Sequence, residues 1–76
     1  MISEKLRQLI LRELELREFE FSDATTAAMV PGWDSLSHIR VITAIEDAYN
    51  IRFSTHEIVG LKTLGDLQDL IGRKTG

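Results

Sequence analysis

Apolar side chains recur at a helical spacing in the first part of the chain, where charged and polar residues fill most positions between them. The repeat consists of Ile2, Leu6, Leu9, Ile10 and Leu14. Because an α-helix completes one turn about every 3.6 residues, this spacing places the five side chains on one face. It predicts an amphipathic first helix over about residues 3–17, with Ser3 as its N-terminal cap.

The segment from 18 to 34 has no sustained apolar period and contains the only proline of the chain, Pro31, followed by Gly32. This composition predicts a long surface loop with one short helical turn near residues 25–29. Loops of this length are uncommon in compact domains and often carry function. Three apolar side chains are expected to attach the loop to the core, namely Phe19, Phe21 and Met29.

A second helix is predicted over about residues 35–49, with Asp34 as its cap and Asn50 as its left-handed end. Its apolar stripe is expected to consist of Leu36, Ile39, Ile42, Ile45 and Tyr49. Ser54 and Glu57 form a capping-box pattern for a short third helix that ends at Gly60.

A last helix is predicted to begin near Thr63. Its inward side chains are Leu64, Leu67, Leu70 and Ile71. The basic tail over residues 73–76 is expected to fray. The pattern as a whole predicts an all-α four-helix bundle over residues 1–76, a single domain with a long loop after its first helix.

Composition narrows the functional classes. A chain of 76 residues is too short for a catalytic cleft with a supporting shell, so an enzyme is not expected. The absence of cysteine excludes disulfides and thiolate metal sites and suits a cytoplasmic location. Twelve acidic and nine basic residues give a formal charge of −3, which argues against nucleic-acid binding. No leader and no apolar run of about 18 residues is recognised, so no membrane span is expected. The protein is expected to be a monomer.

The candidate chemistry lies in Asp34-Ser35-Leu36, where the long loop meets the second helix. A helix N-terminus carries unpaired N–H groups and partial positive charge, which makes it a favourable place for a phosphate. Alone, the tripeptide is weak evidence, because aspartate commonly caps helices and leucine commonly fills cores. Its position between a long loop and the strongest amphipathic helix favours covalent attachment at Ser35.

The chain resembles the acyl carrier and peptidyl carrier family over its whole length. The helix order, the long first loop and the placement of Asp34-Ser35-Leu36 all agree with that family. So do the core or capping residues Ile2, Leu6, Leu9, Ile10, Leu14, Phe21, Ile42, Ile45, Phe53, Leu61, Thr63 and Leu64.

The resemblance implies that Ser35 receives 4′-phosphopantetheine from coenzyme A through a magnesium-dependent phosphopantetheinyl transferase. It also implies that Asp34 helps to present the serine and that Leu36 is an exposed apolar contact beside it. The thiol of the arm then carries an acyl group as a thioester from a loading ligase or transferase to downstream biosynthetic enzymes. A carrier of amino acids would share this chemistry, because the loading enzyme selects the cargo.

The second helix departs from that of fatty-acid carriers, which is strongly acidic in the family. Trp33 also stands where small or acidic residues are common, and Trp-Asp-Ser-Leu resembles the motif of stand-alone carriers from specialised pathways. The predicted partner-recognition residues are Trp33, Leu36, His38, Arg40, Thr43, Glu46 and Asp47.

Two functions of other classes stay open. An unmodified helical interaction module would leave Ser35 free. A small serine hydrolase would use Ser35 and His38, three positions apart on one helix, as nucleophile and base. The residues around Ser35 do not form a nucleophile elbow, and the sequence offers no evident third acid to orient His38. His56 is expected to be exposed, and the two histidines show no metal-ligand spacing, so no metal is expected.

Overall fold

The computed structural model describes residues 1–75. Within that range the chain forms α1 over Glu4–Glu13, α2 over Ser35–Tyr49, α3 over Thr55–Val59 and α4 over Leu64–Thr75. A single 3₁₀ turn, Ala27–Met29, lies in the loop between α1 and α2. The predicted all-α four-helix fold is confirmed. No helix in the described range has the length and apolar character needed to cross a bilayer.

Helix α1 ends about four residues earlier than predicted. Leu14 is its C-terminal cap, and Glu15 has a positive φ of 57°. The Leu16 N–H donates to the Leu11 carbonyl at 2.9 Å, and the Glu15 N–H donates to the Arg12 carbonyl at 3.2 Å. This pair of bonds is a Schellman motif, which satisfies the last carbonyls and turns the chain away from the helix axis.

The core is formed by one side of α1, α2 and α4 together with the loop. Its buried members are Leu6, Leu9, Ile10, Leu14, Val30, Val41, Ile42, Ile45, Leu64, Leu67 and Ile71. Phe19 and Phe21 pack against this core from the loop, as predicted. The same prediction is wrong for Met29, which is 61% exposed, whereas Val30 is buried. Met29 ends the 3₁₀ turn, whereas Val30 has extended backbone angles, so the two neighbours face different sides.

The predicted apolar stripe of α2 is wrong in its first half. Leu36 and Ile39 are 69% and 62% exposed, whereas Ile42 and Ile45 are buried. Three residues advance about 300° around a helix, which is about 60° short of a full turn. Side chains spaced by three residues therefore shift around the helix by about 60° from one to the next. The stripe therefore begins on the solvent side and reaches the core only at Ile42.

The long loop is fastened to the beginning of α4. The Leu64 N–H donates to the Thr25 carbonyl at 2.8 Å, and the Gly65 N–H donates to the Asp23 carbonyl at 3.0 Å. Thr25 is itself buried, and its hydroxyl accepts the Ser22 N–H at 2.9 Å. The loop that leads to α2 is thus anchored at its middle.

Helix α3 is capped as predicted, because the Ser54 and Glu57 side chains each accept the other residue's backbone N–H. The Glu57 carboxylate also forms an ion pair with Lys74 at 2.9 Å. The Thr75 hydroxyl donates to the Ile71 carbonyl at 2.8 Å. These contacts hold the last turn of α4, which extends to Thr75. Fraying of this tail stays a prediction. Gly76 lies outside the described residues.

Candidate functional site

A tight turn directs the chain into α2. Pro31 and Gly32 occupy its two central positions, and the Trp33 N–H donates to the Val30 carbonyl at 3.3 Å. Gly32 has a φ of 80°, as the third position of a type II turn requires. The Pro-Gly pair is a known signature of this turn, so this part of the site could have been found from the sequence.

Asp34 caps the start of α2, as predicted. Its carboxylate accepts the Ser37 N–H at 2.8 Å, and its carbonyl accepts the His38 N–H at 2.8 Å. Ser35 is the first residue of α2 and is exposed, and its hydroxyl makes no hydrogen bond within residues 1–75. An accessible, unengaged hydroxyl at the positive end of a helix fits the attachment of a phosphodiester such as 4′-phosphopantetheine.

The pKa of Asp34 is lowered from its ordinary value of 3.8, because the Ser37 N–H donates to the carboxylate. The ionised group therefore stabilises the folded state above that value, and this contribution is lost as the pH falls through the lowered pKa. We expect Asp34→Ala to reduce the free energy of unfolding near neutral pH. The difference in the free energy of unfolding between this variant and wild type should shrink below pH 3.8. Denaturant unfolding at a series of pH values measures this difference.

Asp34→Asn is the matched control, because asparagine caps helices without carrying a charge. The difference in the free energy of unfolding between Asp34→Asn and Asp34→Ala should not depend on pH in the acidic range. Glu4 and Glu57 also have lowered pKa values, but they are present in all three proteins and cancel in the comparison. A loss in Asp34→Ala that stays constant down to the lowest pH would contradict a role for the ionised carboxylate.

Trp33 and His38 are joined by a hydrogen bond. The indole N–H of Trp33 donates to Nδ1 of His38 at 3.2 Å. Trp33 is half-buried and packs against the core. Both rings line an apolar cavity of about 50 Å³. The sequence indicated both residues as recognition residues. It did not indicate that their side chains, five positions apart in the chain, contact each other.

The geometry lends no support to the serine hydrolase alternative. A nucleophile and its base need hydrogen-bond contact between the hydroxyl and an imidazole nitrogen. In the described part of the chain Ser35 makes no such bond, and Nδ1 of His38 is engaged by Trp33. His56 is exposed in α3, as expected. Residues 1–75 also contain no group of three or more histidine, aspartate or glutamate side chains that could hold a metal ion.

Five exposed residues form what we call the outer face of α2, and they are Leu36, Ile39, Arg40, Thr43 and Asp47. Their spacing of three or four positions brings them onto one side of the helix. Four of the five belong to the predicted recognition set, whereas the apolar pattern places Ile39 in the core. The exposed apolar area beside Ser35 is therefore larger than the sequence suggested.

Two residues predicted for recognition also hold the fold together. Glu46 is half-buried, and its carboxylate accepts the Phe53 N–H at 2.9 Å, which ties the end of α2 to the segment before α3. The Arg40 guanidinium donates to the Glu13 carbonyl at 3.0 Å, at the end of α1, while its side chain stays exposed. The side chain of Glu46 is therefore engaged in holding the fold together. Arg40 both contacts the end of α1 and lies on the outer face of α2.

Comparison with known proteins gives concordant matches. Residues 4–71 match the family model described as a phosphopantetheine attachment site. An acyl carrier protein from Streptococcus pyogenes serotype M3 is 36% identical over 74 residues, which cover 97% of this chain and 96% of that protein. An acyl carrier protein from Clostridium perfringens strain SM101 is 29% identical over 72 residues, covering 95% of each chain.

A solved structure also resembles this fold closely. It is the solution NMR structure of a holo acyl carrier protein from Geobacter metallireducens, which superposes with a TM-score of 0.88 at 32% sequence identity. The match covers 93% of this chain and 82% of that chain. The helix arrangement is therefore shared with a carrier protein of solved structure.

Proposed function

Because this chain belongs to the phosphopantetheine attachment-site family, we propose that the hydroxyl of Ser35 is the group that receives 4′-phosphopantetheine. The chain is a non-catalytic carrier, and in its family the thiol of the arm holds an acyl group as a thioester. A flexible arm presents such a thioester to successive enzymes at a high effective concentration. The protein's own residues supply the attachment atom, its position and a surface for partners.

The observation that carries the proposal is that the Ser35 hydroxyl is accessible at a fixed position on α2. It is exposed, its hydroxyl has no hydrogen-bond partner among residues 1–75, and the Asp34 cap and the Pro31-Gly32 turn hold it at the first position of α2. In this role Asp34 positions the serine, and Leu36 supplies an apolar contact next to it. A phosphate on Ser35 lies at the helix end whose partial charge is positive.

Intact mass spectrometry tests the proposal. Purified protein is incubated with coenzyme A, magnesium and a phosphopantetheinyl transferase of broad specificity, and the product is then fragmented. We expect the mass of one arm on the peptide that contains Ser35. An unmodified interaction module would gain no mass under conditions that modify a known carrier, and an arm on another residue would contradict the assignment.

The outer face of α2 is our proposed recognition surface for the transferase and for the enzymes that load and unload the arm. Carrier proteins of this family act with enzymes of acyl-transfer biosynthesis. Here the face combines two exposed apolar residues with Arg40 and Asp47, which carry opposite charges. Such a surface favours apolar contact over long-range steering by charge. It suits partners other than the basic enzymes of general fatty-acid synthesis.

We expect Leu36→Asp to slow the transfer of the arm at least tenfold without lowering the midpoint of thermal unfolding. The side chain is 69% exposed, so its loss removes contact with a partner and little core packing. Val59→Asp is the matched control, because Val59 is also apolar and is 76% exposed but lies on α3. Rates from intact mass at limiting transferase measure the effect, and equal slowing of both variants would contradict recognition through α2.

A carrier of amino acids remains the alternative within the family, since nothing in the attachment geometry depends on the cargo. Loading assays with acyl- and aminoacyl-activating enzymes separate the two. The lack of cysteine in the sequence is compatible with a reducing compartment, and a cytoplasmic location and a monomeric state stay predictions.

A further inference from the structure

Trp33 and His38 flank Ser35 in the chain, and their side chains contact each other. The indole N–H of Trp33 donates to the histidine ring at 3.2 Å, and the two ring centroids lie 6.1 Å apart. Both side chains are half-buried. A half-buried ring that is also held by a hydrogen bond has a restricted orientation. The histidine is therefore fixed beside the first turn of α2.

The side chain of His38 lies on the same side of α2 as Ser35. Residues three positions apart are neighbours on the surface of a helix. The side chain of a helical residue also leans toward the N-terminus of its helix, over the preceding turn. His38 thus leans toward the turn that carries Ser35, whereas the other histidine, His56, lies on α3.

One ring nitrogen of His38 is available to a ligand. An indole nitrogen can only donate, so the bond from Trp33 uses Nδ1 as its acceptor. Nε2 makes no hydrogen bond with any group of residues 1–75. A phosphodiester offers acceptor oxygens and a negative charge, and an imidazole N–H is a suitable donor to such a group.

The charged groups around the imidazole also suit an anion. The cavity beside it is lined from the loop, from the segment before α4 and from α4 itself. Among the lining residues Lys62 is the only lysine, arginine, aspartate or glutamate, and it is exposed. The carboxylate of Asp34, one turn before His38, is engaged by the Ser37 N–H at 2.8 Å. Two basic residues and no carboxylate therefore line this side of the helix start.

We propose that His38, oriented by Trp33, is a positioning residue that donates from Nε2 to the phosphodiester of an arm on Ser35. The contact fixes the direction in which the arm leaves α2. His38 takes no part in the attachment reaction, because the phosphodiester forms before the contact does. This inference rests on the proposed attachment at Ser35. It gives His38 a role toward the arm that is separate from the outer face of α2.

Phosphorus NMR of the protein that carries the arm tests the proposal. Intact mass first verifies one arm on wild type and on His38→Phe, which keeps a ring but has no nitrogen. A phosphodiester stays ionised between about pH 5 and 8, whereas a histidine ordinarily titrates there. The phosphorus resonance moves in this range only when a neighbouring group changes its charge. We expect one titration step in wild type and its loss in His38→Phe.

Four further variants sharpen the test. His38→Gln keeps a polar side chain at this half-buried position if His38→Phe does not fold, and it should also abolish the step. Trp33→Phe removes the indole N–H and frees the imidazole, so the step should become smaller. His56→Phe and Lys62→Gln are the controls, because the first removes the histidine of α3 and the second removes the neighbouring cation. Both should retain the step.

A phosphorus resonance that does not move with pH in wild type would overturn the proposal. So would a step that persists in His38→Phe or His38→Gln, or one that is lost in His56→Phe. These outcomes leave the proposed function intact, because every sample carries the arm. Failure of the wild type to accept an arm, with a control carrier modified in parallel, would instead contradict attachment at Ser35.

Discussion

Ser35→Ala is expected to abolish the addition of a phosphopantetheine arm completely. The attachment needs an alcohol oxygen as the acceptor, and Ser35 is the exposed hydroxyl at the first position of α2. Alanine favours helix as strongly as any residue, so the variant should unfold at nearly the wild-type temperature. Intact mass after incubation with coenzyme A, magnesium and the transferase measures the effect as all or nothing.

Ser37→Ala is the matched control for this experiment. Ser37 lies in the same helical turn, and the bond from its backbone N–H to Asp34 does not depend on its side chain. This variant should accept one arm, as the wild type does. Full modification of Ser35→Ala would contradict the assignment, and loss of modification in both variants would indicate a general effect on recognition.

The largest expected effect on stability belongs to Gly65→Ala. A Cβ atom at this position lies 2.9 Å from both the Cβ and the carbonyl oxygen of Asp23, closer than non-bonded atoms approach. The loop must therefore move away from α4, which weakens the bond from the Gly65 N–H to that carbonyl. We expect a loss of about 1–3 kcal/mol in the free energy of unfolding. Urea denaturation measures it.

Gly72→Ala is the control, because Gly72 lies in the same helix and a Cβ there meets no atom within 4 Å apart from its chain neighbours and the backbone of its own helix. Alanine is a better helix former than glycine by about 1 kcal/mol, so this variant should be as stable as wild type or more stable. A loss in Gly72→Ala as large as that in Gly65→Ala would contradict the assignment of the Gly65→Ala loss to contact with the loop.

Helix positions were largely predictable because they depend on local periodicity and caps. The caps at Ser3, Asp34 and Ser54 each place a side-chain oxygen within reach of the backbone N–H three residues ahead. The end of α1 was not predictable in the same way. Apolar residues continue past Leu14, and only a Schellman motif with Glu15 at positive φ shows where the helix stops.

The direction of individual apolar side chains was less predictable than the helices that carry them. Ile39 and Met29 have the hydrophobicity of core residues, yet both are largely exposed. Which of several apolar residues enters the core depends on the neighbours that cover it, and these come from distant parts of the chain. Sequence periodicity shows which side chains share a face of a helix. It does not show which face of that helix is turned toward the core.

By itself, the sequence determined the all-α fold, the capped start of α2 and Ser35 as its first residue, because each follows from contacts between near neighbours in the chain. Only the tertiary structure decided that the loop is anchored to α4, that Trp33 donates to His38, and that these two rings line a small apolar cavity. Those features join residues that are far apart in the chain or on different elements, and they arise only when the helices pack.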